Sequence, residues 1–169
     1  MKASAATQNA PVELVNKNER GAGKACYDLQ AHGSIRSVQG KAKQMTVSRM
    51  FVLSGTCFLL VGIGFGIYMG ASGDHSFAPL HAHINLLGFV LSMIFALTYR
   101  SYPAMGESKF AGIHFWLHIP AALVLLVMLF LMFSGRIAEE SMFPLAPIAE
   151  VGILAGAFLF LVNVVQNAK

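Results

Sequence analysis

The chain has 169 residues, of which 56% are hydrophobic and only 12% charged, and its mean hydropathy is +0.61. Soluble domains carry about 25% charged residues, so the composition excludes an ordinary soluble protein and predicts an all-α integral membrane protein with several spans. The formal net charge of +4 is not a nucleic-acid signature. Eight of the twelve Lys and Arg fall within the first 49 residues (Lys2, Lys17, Arg20, Lys24, Arg36, Lys41, Lys43, Arg49), interleaved with Glu13, Glu19 and Asp28 and with few aromatics to stack on bases.

Residues 1–46 read as a basic, polar, disordered leader that sits near anionic lipid on the cytoplasmic side. It has no apolar core of a secretory signal, and Cys26 and His32 within it form no motif. Residues 47–169 read as the membrane domain, with apolar spans at about 50–70, 78–99, 110–133 and 143–165, each near the roughly 20 residues that cross hydrocarbon. The breaks "GASGDHSF", "RSYPAMGESK" and "SGRIAEES" are short enough to make consecutive helices antiparallel, giving an up-down four-helix bundle.

The first span carries Gly62, Gly66 and Gly70 at a spacing of four, a bare ridge for close helix packing. Cys57 in the same span reads as a small buried hydrophobe. In the second span His81 and Asn85 share a face that Gly88 and Ser92 continue. His83 is about 200° round the axis from His81, so the two rings address different neighbours and do not clamp one ion. In the third span His114 and His118 share a face about 6 Å apart along the axis, with Pro120 two residues on. The fourth span carries Glu150, then Gly152 and Gly156. Glu150 is expected at the depth of His81 and His83, as a carboxylate that fixes an imidazole tautomer or holds a proton.

Arg100 and Lys109 mark the second break as positive, whereas the first and third carry Asp74, Glu139 and Glu140 against Arg136 alone. The positive-inside rule then places both termini in the cytoplasm, with Tyr99, Tyr102 and Trp116 near that interface. Ionisable groups inside spans are costly and usually functional. Imidazole is an axial ligand for haem iron, and bundles hold such cofactors between helices. Arg136 is a candidate partner for haem propionates. Copper and a proton path are the alternatives for the same rings, and the scattered methionines make no copper box.

The stretch "HAHINLLGFVLSMIFALTYRSYP", followed by "KFAGIHFWLHIPAALVLL", resembles the haem–copper oxidase subunit I superfamily, most nearly the C-family cytochrome oxidases and nitric-oxide reductases. The resemblance covers residues 50–165 in outline and is sharpest over 79–120. In that superfamily an H-x-H pair on one span supplies ligands to two haems, which implies haem b here with His81 and His83 as ligands. His118 and then His114 follow as candidates for the haem iron, and Asn85 and Glu150 as polar partners of the imidazoles. The chain departs from the pattern: it has four spans, not twelve, and lacks both the His-Pro-x-x-Tyr segment and the His-His pair that bind copper in oxidases. Its size matches one four-helix unit, which implies a homo-oligomer, a trimer, rebuilding the larger arrangement in a bacterial inner membrane.

The expected function is therefore electron transfer, or handling of a gas such as NO or O₂, with a separate redox partner; as an enzyme it would be an oxidoreductase. The alternatives are a structural or assembly subunit of a respiratory complex, and a proton- or metal-ion-conducting protein with His81, Glu150 and His118 along its path.

Overall fold

Strong local signals close each helix. A computed structural model describes residue 39 and residues 46–169; the expectations for the leader fall outside these. The described chain is all-α, with five helices: α1 (Thr46–Ser72), α2 (Ala78–Ser101), the short α3 (Pro103–Glu107), α4 (Lys109–Phe133) and α5 (Leu145–Asn167). Gly73, with φ of 71°, turns the chain after α1, a left-handed conformation that costs a residue with a Cβ. The Asp74 carboxylate accepts from the Ser76 N–H at 2.9 Å and orders the same turn. Pro79 sits in the first turn of α2 and Pro103 in that of α3, where their missing N–H is harmless. Ser108 caps α4 by accepting from the Phe110 N–H, and α4 then runs unbroken through Pro120.

α1, α2, α4 and α5 are each long and apolar enough to cross a membrane. Even the shortest, at 23 residues, extends about 35 Å against a hydrocarbon core of about 30 Å. These are the properties of an integral membrane protein. α1 starts before residue 50 and α5 runs past residue 165, and the second break carries the short helix α3. One end of the bundle carries the α1–α2 and α4–α5 connections (the connection end). The other carries the start of α1, the α2–α4 connection and the end of α5 (the opposite end).

Of the most apolar stretch of each helix, 33% is buried in α2 and α4 but only 17% in α1 and α5. The two middle helices are therefore the core. Phe51, Phe95, Tyr99, Met105 and Phe115 pack towards the opposite end, and Leu80, Ile84 and Leu126 towards the connection end. α4 and α5 close through Gly152, where an added Cβ would lie 3.0 Å from Ala121 Cβ. Cys57, expected buried, is exposed. A thiol behaves as a small hydrophobe, so an apolar outer face accepts it without penalty.

Within α2, residues Ile84–Val90 form a π-helical segment, and the Leu91 N–H reaches the Leu86 carbonyl five residues back. Such wide turns are rare and recur at functional sites. This one separates the two polar levels of the bundle.

Candidate functional site

The first polar level lies near the connection end. His81 Nδ1 is 2.9 Å from the Gly62 carbonyl of α1. A carbonyl only accepts, so the ring proton sits on Nδ1 and the Nε2 lone pair is left open. The Asn85 Nδ2 donates to the His81 carbonyl at 2.9 Å and lies 3.3 Å from both ring nitrogens. Equal distances place the amide over the face of the ring, away from the in-plane lone pair. The whole stripe His81, Asn85, Gly88 and Ser92 faces α1: Cβ atoms built on Gly66, Gly62 and Gly55 would meet His81, Asn85 and Ser92, and one on Gly88 would meet Phe58.

His83 faces away and is exposed. Its Nδ1 donates to the Pro79 carbonyl one turn back at 2.8 Å, which again leaves Nε2 open. The two rings thus diverge as helix geometry requires. Glu150 is exposed on α5 and, among the described residues, forms no hydrogen bond or ion pair with His81 or His83. The structure does not bring the expected carboxylate to the imidazoles. Arg136 is exposed in the α4–α5 connection.

The second level is buried. His114 and His118 share one face of α4 with ring centroids 5.6 Å apart, and they are 0% and 1% exposed. The rings of Phe51, Phe95 and Phe160 pack on His114, and Phe95 also lies against His118. Gly156 of α5 closes the other side: a Cβ there would sit 3.4 Å from His114 Cδ2 and 3.5 Å from His118 Cβ. The Tyr99 hydroxyl is 2.9 Å from His114 Nδ1. His114 Nε2 and both nitrogens of His118 have no hydrogen-bond partner, and neither has Ser92 Oγ.

Two residues of this level escaped the sequence reading. Tyr99, expected at the interface, is fully buried. The signal was available, since it stands seven residues after Ser92 on the inward stripe. Asn163, also fully buried, donates to the Met105 carbonyl at 3.1 Å and accepts from Asn167 at 2.8 Å; an amide deep in an apolar span was its signal. Trp116, by contrast, is exposed on α4, where an interfacial ring would stand.

Among the described residues, no three His, Cys, Asp or Glu converge on a metal position; haem, however, needs only one or two protein ligands. The His114–His118 pair does not fit a macrocycle, because phenylalanine rings and Gly156 are packed on it. A groove of about 310 Å³ between α1, α2 and α4 is lined by Phe58, Phe65, Leu80, Ile84, Leu126 and other apolar residues, and it presents no ligand atom. His81 and His83 do fit the ligand role. Each has Nδ1 fixed on a backbone carbonyl, the arrangement that orients a metal-binding imidazole and would leave Nε2 for a metal. Comparison with family models, with curated proteins and with solved structures returned no match. The superfamily resemblance stands on the quoted motif alone.

Proposed function

We propose that the chain binds b-type haem at its perimeter through His81 and His83 and serves one-electron transfer or the handling of a gas such as NO or O₂. The observation that carries this reading is the paired posture of the two rings. Both have Nδ1 anchored and Nε2 open, and they point to different sides of α2, so each serves its own haem. Neither faces a cavity within the chain, so the haem faces are completed by further copies of the chain. Exposure of His83 and Glu150 in apolar spans supports the same homo-oligomer, with a trimer as the expected form. Bound haem supplies reversible one-electron reduction of its iron. The protein's part is to fix the imidazole planes through the Gly62 and Pro79 carbonyls and to exclude water with the apolar faces of α1 and α2. Copper is the alternative occupant of the same nitrogens.

Arg49, Arg100, Lys109 and Lys169 lie with Glu107 at the opposite end of the bundle, and Asp74, Glu139 and Glu140 with Arg136 at the connection end. The positive-inside rule supports termini in the cytoplasm of a bacterial inner membrane.

The test is optical. Protein expressed with ample haem should show a Soret band and reduced-minus-oxidised peaks, and His81→Ala and His83→Ala should each remove a separate share of them. A colourless protein refutes the reading. The helix-to-helix contacts His81–Gly62 and Tyr99–His114 favour a second reading, a structural or assembly subunit whose histidines tie helices together. That reading predicts the colourless result.

A further inference from the structure

We propose that the cleft between α1 and α2 at the opposite end of the bundle holds one anionic phospholipid, its phosphate between Arg49 and Arg100 and an acyl chain beside Val52 and Leu97. The cleft has a volume of about 390 Å³, and Ser48 and Ala96 line it with these four residues. That is within the range of small-molecule sites, about 300–1,000 Å³. Its inner wall is tied together. Ser48 Oγ donates to the Ala96 carbonyl at 2.9 Å, from α1 to α2, and both residues are buried. The two helices are thus held in register where the cleft opens.

The two outer walls repeat one pattern in opposite chain directions. α1 enters the bundle here, and Val52 lies three residues further in than Arg49. α2 leaves it here, and Leu97 lies three residues further in than Arg100. Three residues rise about 4.5 Å, so each wall offers a guanidinium at the end of the bundle and an apolar side chain one level deeper. Arg49 and Arg100 are exposed, and so are Val52 and Leu97. A soluble anion would use only the outer half of this cleft, and a neutral apolar molecule only the inner half. A phospholipid lying against the helices uses both.

Charge complementarity sets the class of lipid. Two guanidiniums line the cleft and no Asp or Glu does. Among the described residues, Glu107 on α3 is the single acidic side chain at this end. The planar fork of arginine suits phosphate oxygens. A zwitterionic head group brings its own cation to the same place, whereas a head group without a cation leaves the phosphate charge to the arginines. The leader is a poorer occupant, because residues 1–45 carry seven Lys and Arg against three Asp and Glu. The proposal rests on the spans crossing a membrane. It uses none of the residues of the proposed haem site, so the two fail separately.

The experiment is native mass spectrometry of the full-length protein in detergent, with dioleoyl-phosphatidylglycerol or dioleoyl-phosphatidylcholine added at matched concentrations. The two lipids share their chains and differ in head group. Each basic residue at a lipid surface contributes about fivefold in affinity. The wild-type protein should therefore retain one phosphatidylglycerol per chain, about twentyfold tighter than phosphatidylcholine. Arg49→Gln and Arg100→Gln should each weaken phosphatidylglycerol by about fivefold, and the double variant should hold both lipids alike. Lys109→Gln removes a charge at the same end but outside the cleft, and should change nothing. Equal retention of the two lipids by the wild-type protein overturns the proposal. So does a loss in Lys109→Gln equal to that in Arg49→Gln, which reduces the effect to surface charge. Displacement of phosphatidylglycerol by inorganic phosphate at equal concentration assigns the cleft to a soluble anion and also overturns it. If an arginine variant fails to fold, the wild-type comparison of the two lipids decides alone.

Discussion

Adding one methyl group at Gly62 tests how α1 is held on α2. A Cβ there would overlap the Asn85 carboxamide: its Oδ1 lies in direct conflict, and its Cγ and Nδ2 are only 2.9 Å away. The amide is itself held to the His81 carbonyl, so it does not swing aside freely. The Gly62 carbonyl also accepts from His81, and pushing the helices apart lengthens that bond. Overpacking costs about 1–3 kcal/mol, and a polar contact inside a membrane bundle is worth about 0.6 kcal/mol. The gain in helix propensity from Gly to Ala, up to about 1 kcal/mol, offsets part of this. The net expectation for Gly62→Ala is a loss of about 1–3 kcal/mol.

The other two members of the ridge are internal controls. A Cβ at Gly66 would stand 3.3 Å from His81 Cε1, a contact that a small ring movement relieves, and at Gly70 it would meet nothing within 4 Å. Unfolding in a titration with SDS in mixed micelles, followed by far-ultraviolet circular dichroism, should therefore rank the variants Gly62→Ala, Gly66→Ala, Gly70→Ala from least to most stable. Gly70→Ala should lie between wild type and about 1 kcal/mol more stable, the helix-propensity gain with nothing to oppose it. Equal effects at Gly62 and Gly70 would refute the close approach of α1 to Asn85.

The remaining expectations concern single side chains. The Asp74 carboxyl is held below the ordinary value of 3.8, first by the Ser76 backbone hydrogen bond and then by the Ser76 side chain. A depressed value in the folded state means that the turn is stabilised above the unfolded value and loses that contribution as pH falls through the folded one. The Ser76 amide resonance should thus titrate with a midpoint below 3.8, and a midpoint above it contradicts the turn. Asn163→Leu removes the donor to Met105 O and the acceptor for Asn167. It should cost about 1–3 kcal/mol through unpaired buried groups in the same SDS titration, and no loss would mean that those groups find water.

The spans were legible because length and apolarity together decide who crosses hydrocarbon, and neither depends on tertiary contacts. The divergence of His81 and His83, and the shared face of His114 and His118, followed from helical geometry alone. What spacing could not supply was rotation about each helix axis relative to the neighbours. Gly62, Gly66 and Gly70 are equivalent in sequence, yet the first is pressed hard against Asn85, the second stands close to His81 and the third meets nothing within 4 Å. Glu150 is exposed, because its helix turns it outward. Tyr99 was assigned by residue type to an interface, although its register with Ser92 placed it inside.

The π segment explains how one helix serves both polar levels. From Asn85 to Tyr99 is fourteen residues, about 21 Å along α2. Up to the start of the wide turn, the polar residues His81 and Asn85 are committed to α1 while Leu80 and Ile84 face Leu126 of α4. Beyond it, Phe95 touches Phe51 of α1, His114 and His118 of α4, and Phe160 of α5. The inward face of α2 has become the centre of the bundle. The extra residue in the wide turn alters the register between the two halves. A deletion that restored a regular α-helix through 84–90 would rotate one half of α2 against the other by about 100°. It could not keep both His81 on Gly62 and Tyr99 on His114, so the wide turn is the element on which both levels depend.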